Sequence, residues 1–206
     1  MGGIMSRYDS PKRKRRSAGS AGFSLLELMI AVVVLAIGVG LAIPSFRDLM
    51  RNSNTSANSS DLVVALNMAR SEAIKRGTRV AVLSTSTTSD WSSGWTIAAD
   101  TARNGTYSTS IRTHQAVATG YPIYVKATGA GAKDDRVVFD SSGALTNGLT
   151  PPDMTDAAKP VSRTDISVCS QTKDKTKARW IQVIATGQTS ARRYATSDTV
   201  ATTACP

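Results

Sequence analysis

The sequence predicts an α+β fold: a long N-terminal α-helix, membrane-embedded in its first half and amphipathic in its second, packed on an antiparallel β-sheet head. Three observations predict it. An apolar stretch of 21 residues, Phe23 to Ile43, holds one ionisable side chain, Glu27. A helical repeat of apolar residues follows between Asp61 and Arg76 and stops at Gly77. Beyond it, short β-rich runs alternate with Gly, Ser and Thr clusters, the pattern of strands joined by turns.

Residues 1–22 read as a leader. Their basic run, Lys12-Arg13-Lys14-Arg15-Arg16, resembles a nucleic-acid patch taken alone, but a basic flank before an apolar segment explains it better. The apolar stretch, residues 23–43, would span roughly 31 Å as a helix, close to the hydrocarbon thickness of a bilayer. Six basic residues precede it, and only Arg47 and Arg51 follow closely. That asymmetry places the N-terminus in the cytoplasm and the rest outside. Glu27 is the anomaly. A carboxylate in such a helix costs about 2.5–3.5 kcal/mol on insertion scales, and the segment contains no cation to meet it. Its partner has to come from another chain or from a newly made terminus. Two plainer readings compete. One is a secretory signal cut near Gly40-Leu41-Ala42, although such signals use apolar cores of about 7–15 residues. The other is an uncleaved single-span anchor.

After Pro44 the helix resumes. Residues 51–61 are polar, rich in Ser and Asn, and expected to be exposed. Leu62, Leu66, Ala69 and Ala73 then form one apolar face, with Val63 and Ile74 beside it, while Arg70, Glu72, Lys75 and Arg76 take the other. Strands are expected at 79–83, 95–98, 136–139, 166–169, 180–184 and 191–194, with turns at Ser141-Ser142-Gly143 and Thr186-Gly187-Gln188. The fold of residues 101–160 is left open.

The formal charge of +10 belongs to the two ends of the chain. The leader carries +5, residues 23–158 are balanced, and the remaining surplus lies in 159–193, where Lys173, Lys175, Lys177, Arg179, Arg192 and Arg193 cluster in sequence. Such a cluster is either the solvated face of a hairpin or a patch that meets polyanions. Cys169 and Cys205, 36 residues apart in an exported domain, read as a disulfide rather than a metal or catalytic pair. The lone His114 has no partner signal and reads as an exposed loop residue. Asp134, Asp135 and Asp140 flank a strand-like run and read as turn residues rather than a calcium loop. Gly129–Lys133 lacks the length of a phosphate loop. Trp91 and Trp95 read as core. These patterns assign no enzyme, metal or cofactor.

Gly22-Phe23-Ser24-Leu25-Leu26-Glu27, with its basic leader and Pro44 at position 22 of the mature chain, resembles the type III signal of type IV pilins and type II secretion pseudopilins. The resemblance implies cleavage after Gly22 by prepilin peptidase and N-methylation of Phe23. It also implies that Glu27 pairs with the terminal amine of a neighbouring subunit during assembly. Leu66–Gly77, and Trp91-Ser92-Ser93-Gly94-Trp95 followed by Asp100, resemble the GspH/FimT family of minor pilins and pseudopilins. The likeness covers roughly residues 22–100 well and returns at the last strand, Trp180 to Gly187. Members that bind DNA often carry Gly-Arg-x-Arg at that turn. Here the arginines are displaced to 192 and 193.

The resemblance implies a pilin-like organisation: leader 1–22, transmembrane and assembly helix 23–43, amphipathic helix 44–77, and periplasmic head 78–206. The expected function is that of a minor type IV pilin or pseudopilin that helps initiate or cap a filament, in pilus biogenesis or type II secretion. Expected partners are prepilin peptidase/N-methyltransferase, the bacterial inner membrane, and other pilins or pseudopilins. The alternative is a DNA-binding minor pilin for natural transformation, using Lys173, Lys175, Lys177, Arg179, Arg192 and Arg193.

Overall fold

The computed structural model describes residues 22, 24–86, 89–128, 133–146, 161–172, 174–194 and 205. The chain divides into two compact units, with the boundary after Pro44. Helix α1 runs Leu25–Arg76, 52 residues with Pro44 inside. Ser24 begins it: its Oγ accepts from Glu27 N at 3.1 Å, and its carbonyl accepts from Leu28 N at 3.1 Å. This satisfies amides that a helix start leaves without partners. Gly77, at φ 61, ends it in the left-handed conformation that a residue without Cβ adopts at little cost. In the last turn Arg76 Nε lies 2.6 Å from Glu72 Oε2.

In the second unit, α1 buries Thr55, Ser59, Leu62, Ala65, Leu66, Ala69 and Ala73. The apolar face predicted from Leu62 to Ala73 is therefore the packed face. The expectation that residues 51–61 are exposed is corrected at two positions, since Thr55 is fully buried and Ser59 nearly so. Both are small, and both continue the spacing of Leu62 and Leu66 one and two turns earlier. Thr55 meets its own hydrogen-bonding need by donating to Arg51 O at 3.0 Å.

Two antiparallel sheets follow α1 in sequence. The first has β1 (Val80–Ser84), β2 (Trp95–Ala99), β3 (Thr109–His114), β5 (Arg136–Phe139) and β6 (Leu145–Thr146), in the order β3-β2-β1-β5-β6. The second has β4 (Ile123–Thr128), β7 (Arg163–Val168), β8 (Arg179–Ile184) and β9 (Thr189–Arg193), in that order. The head is thus built from two sheets, and β3, β4 and β6 fall in the stretch that the sequence left open. β3 is polar on most of its length, with burial only intermittent. An edge strand of that kind carries little period-two signal.

One apolar cluster joins Leu62, Leu66, Ala69 and Ala73 to Val80, Val82 and Ile97 of the first sheet and to Ile123, Ile166 and Ile181 of the second. Each large side chain so buried contributes about 1.5–3 kcal/mol. Backbone and side-chain bonds tie the sheets together. Trp91 N donates to Ile123 O at 2.7 Å and Trp91 Nε1 to Asp134 O at 2.9 Å. Leu145 N donates to Ala185 O at 2.9 Å. Arg70 of α1 bridges the turns of both sheets, with Nε to Gly143 O at 3.0 Å and Nη2 to Thr186 O at 3.2 Å.

Candidate functional site

The first unit offers one chemical feature. Its helix is long and apolar enough to cross a membrane, and none of its apolar window is buried within the chain. Leu25, Leu26, Met29, Val34, Leu35 and Ile37 are all more than half exposed. Such an apolar stripe requires lipid or other helices around it. Glu27 stands in the first turn, where a carboxylate is favoured by the exposed amide dipoles. It forms no ion pair among the described residues. Gly22 is exposed. Phe23 lies outside the described residues.

The second unit distributes its cations rather than pooling them. Lys173 and the side chain of Lys175 lie outside the description. Lys177 Nζ is 3.4 Å from Asp48 Oδ2 on α1. Arg179 Nη2 donates to Asn52 Oδ1 at 3.4 Å. Strand pairing puts Arg179 opposite Arg193 and Trp180 opposite Arg192. Directly opposed residues share a face, and neighbours along a strand take opposite faces. Arg179 and Arg193 therefore stand on the face toward α1. Arg192 stands on the other, its guanidinium 4.0 Å above the Trp180 ring. The proximity of Arg193, added to the larger effect of burial, pushes the pKa of Arg179 down. On the outer face Arg163 pairs at 2.8 Å with the buried Asp165, which also accepts from Gln182 at 3.2 Å. The basic sequence cluster is thus split between two faces of β8 and β9, and partly neutralised.

Cys169 and Cys205 form a disulfide with Cα atoms 5.6 Å apart, packed with Ala178, Tyr124 and Tyr194. His114 does not lie in a loop. It ends β3, stacks on Trp95 with ring centroids 4.0 Å apart, and turns Nε2 toward Asp61 Oδ2 at 3.5 Å. Nothing in local sequence foretells that contact, because Asp61 and Trp95 are both far away along the chain. The notch they line with Val64, Ala65 and Met68 is small, about 40 Å³.

A larger polar cavity of about 300 Å³ lies beside Gly77, Arg79, Asp100, Arg103 and Asp140. Its acids serve their own loops. Asp100 accepts from Asn104 N and Gly105 N at 3.0 and 2.8 Å, and Asp140 from Ser142 N and Ala144 N at 2.8 and 3.0 Å. The remaining acids of the calcium question are likewise engaged, Asp134 with Ala127 N and Asp135 with Arg136. Burial pushes the Tyr107 hydroxyl up to about 12, so it stays protonated and is no base at neutral pH.

A bare apolar helix with one anion, followed in the chain by a stapled β-rich head, fits a membrane-anchored subunit. The comparisons with known proteins make this specific. The family described as Type II transport protein GspH matches residues 58–187, and the prokaryotic N-terminal methylation motif matches residues 17–43. The chain belongs to the GspH family of pilin-like subunits. The methylation motif implies processing by prepilin peptidase and assembly with other pilins or pseudopilins. Among solved structures it is similar to the type IV minor pilin FimU of Pseudomonas aeruginosa in two crystal forms. Identity is 18% in both, over 66% of this chain and 91% or 87% of the other, with a TM-score of 0.48. No curated protein matches significantly.

Proposed function

We propose that this chain is a minor pilin or pseudopilin that helps initiate or cap a filament, entering it through Glu27. Prepilin peptidase cuts after Gly22, removing the leader 1–22, and Phe23 becomes the N-methylated terminus. Residues 23–43 then serve as the transmembrane and assembly helix, passing Pro44 into the amphipathic helix 44–77 and the periplasmic head 78–206. The supporting observation is the placement of Glu27 in the first turn as the only ionisable side chain of the exposed apolar stretch 24–43. A neighbour's terminal amine neutralises that charge, so burial in the filament is favourable only in the register that brings the two together.

Mass spectrometry of the purified chain is expected to show a methylated Phe23 terminus. Glu27→Ala is expected to leave cleavage intact and to remove the subunit from sheared filaments. Equal recovery of Glu27→Ala and parent from those filaments would sink the assignment.

A second reading, duplex-DNA binding for natural transformation, is favoured by one observation: Arg179 and Arg193 stand side by side on one face. It predicts a mobility shift that weakens steeply with salt and is lost in Arg179→Ala with Arg193→Ala. Absence of a shift at low salt removes it.

A further inference from the structure

The basic residues that strand parity leaves on the α1 side of β8 and β9 are joined there by two more from α1 itself. Arg47 and Arg51 lie four residues apart on the helix, in one row along its surface. Lys177 Nζ reaches Asp48 Oδ2 at 3.4 Å, and Arg179 Nη2 donates to Asn52 Oδ1 at 3.4 Å. Arg193 stands beside Arg179. Sequence separations of 129 and 127 residues are closed by these contacts. Five cations are thereby gathered along about two turns of helix, residues 47–52. All of them belong to the second unit.

Their charge is mostly uncompensated. One carboxylate, Asp48, is shared: Oδ1 is 3.5 Å from Arg51 Nη1 while Oδ2 meets Lys177. Both pairs are long and open to solvent, and such pairs hold their members loosely. The further contact of Arg51 is Gln171, at 3.3 Å, and that of Arg179 is Asn52; both are neutral amides. Arg47 and Arg193 are exposed and form no ion pair among the described residues. The second acid nearby, Asp174, turns its carboxylate to Thr176 N and Oγ1 at 2.9 and 2.7 Å. Five cations less two acids leave a surplus of three. Gathering like charge opposes folding, and an anion brought to the cluster relieves it.

Chain position says which anion is nearest. Arg47 follows Ile43, the last residue of the apolar stretch, by four residues, and Arg51 follows it by eight. Four residues reach at most about 14 Å in any conformation. A bilayer's headgroup layer is itself about 5–8 Å deep, and charges stay coupled over about 8 Å at physiological salt. Whatever angle the chain takes at Pro44, Arg47 is within range of lipid phosphates. The anchor also makes the encounter intramolecular, so contacts too weak to hold a free protein are sufficient. Duplex DNA has no such advantage, since it must be recruited from solution.

We propose that Arg47, Arg51, Lys177, Arg179 and Arg193 form a collar that seats the head on anionic phospholipid headgroups of the bilayer holding residues 23–43. The proposal rests on the reading of that stretch as membrane-spanning, and it names the lipid class and the head residues that meet it. The guanidinium groups accept phosphate oxygens as paired donors, and Lys177 adds a point charge. The contact is ionic and surface-bound, so it is reversible and weakens with salt. A subunit waiting in the membrane is held with its head against the surface, and entry into a filament has to break that hold.

The test uses the full processed chain in phosphatidylcholine vesicles with a trace of spin-labelled phosphatidylglycerol or spin-labelled phosphatidylcholine. Electron paramagnetic resonance gives the fraction of each label held at the protein, and the ratio of the two association constants is the selectivity. The processed chain has no basic side chain before Arg47, so selectivity for the anionic lipid arises on the side of the head. The parent is expected to prefer phosphatidylglycerol about threefold or more at low salt and to lose the preference at about 0.5 M salt. Arg179→Gln with Arg193→Gln is expected to cut the selectivity about twofold or more, and Asp48→Asn to raise it. Equal selectivity in the parent and the folded double variant overturns the seating of the head, because Arg47 and Arg51 then suffice. Should the double variant disturb folding, seen in tryptophan fluorescence, the exposed Arg193→Gln and Asp48→Asn decide, and a selectivity unmoved by both overturns the proposal. So does a parent selectivity near one. Vesicles that bind duplex DNA through Arg179 and Arg193 without lipid selectivity assign the cations to DNA and also overturn it. Retention of the chain in neutral vesicles through an alkaline carbonate wash tests the anchor separately. A chain washed away overturns the membrane-spanning reading and the proposal with it, whereas a chain retained without selectivity overturns the proposal alone.

Discussion

Gly187 and Gly77 share a backbone conformation and differ in what surrounds them, which permits a controlled experiment. Both have positive φ, 76 and 61 respectively. Alanine at either position incurs the left-handed penalty of about 1–2 kcal/mol. At Gly77 a Cβ meets nothing within 4 Å. At Gly187 it runs into the carbonyl oxygen of Gly143, the acceptor for Arg70 Nε. The carbonyl cannot retreat without stretching that bond and disturbing the Leu145–Ala185 link next to it. Losing a charge-assisted hydrogen bond costs about 1.5–3 kcal/mol. Gly77→Ala is therefore expected to destabilise the head by about 1–2 kcal/mol, and Gly187→Ala by about 3–4 kcal/mol. For a domain of this size the melting shifts are about 2–8 °C and about 6–16 °C. The assay is guanidinium or thermal unfolding of the processed chain in detergent. Fluorescence of Trp91, Trp95 and Trp180, all largely buried in the head, reports the transition. If the two variants unfold within about 0.5 kcal/mol of each other, the junction of α1 with the two turns is not a rigid clamp and the reasoning fails.

Three further outcomes are expected. Reducing the Cys169–Cys205 bond, which closes a separation of 36 residues, lowers stability by about 3–4 kcal/mol on the chain-entropy account; paired unfolding curves with and without reductant measure it. Asp135 takes two bonds from Arg136, at 3.0 and 2.9 Å, and the guanidinium holds its carboxyl below the ordinary carboxylate range. Because the folded pKa is the lower one, the unfolded chain binds the proton first. The stabilisation is complete above the ordinary carboxylate pKa and is lost as pH falls through the folded value. Asp135→Asn should cost about 1 kcal/mol at pH 7 and nothing once both states are protonated, as unfolding curves at stepped pH would show. His114→Ala removes the ring stacked on Trp95 and the contact to Asp61, and should cost about 1 kcal/mol with a changed Trp95 emission.

What the sequence revealed, and what it hid, follows from the range of the interactions involved. The apolar helix, the packed face from Leu62 to Ala73, the stop at Gly77 and strands β1, β2, β5, β7, β8 and β9 rest on local periodicity and turn chemistry, and these were legible. Strand β3 has a single apolar residue, Ile111, among polar ones, so its pairing with β2 leaves no period-two apolar signature. β4 was missed because its pattern fades after Val125, in Lys126, Ala127 and Thr128. Thr55 and Ser59 were misjudged because polarity was taken as exposure; both are small, and Thr55 bonds back to its own helix. The stack of His114 on Trp95 depends on β2–β3 register, which no short window contains.

The arginines at the C-terminal side show how a legible motif can still mislead. In sequence, Lys177, Arg179, Arg192 and Arg193 look like one basic patch. Once β8 and β9 are paired, strand parity alone separates Arg192 from Arg193, and Asp48 claims Lys177. A duplex backbone rewards cations gathered on one surface, because affinity rises with the number of phosphates neutralised together. Cations on both faces of a strand are poorly placed for that.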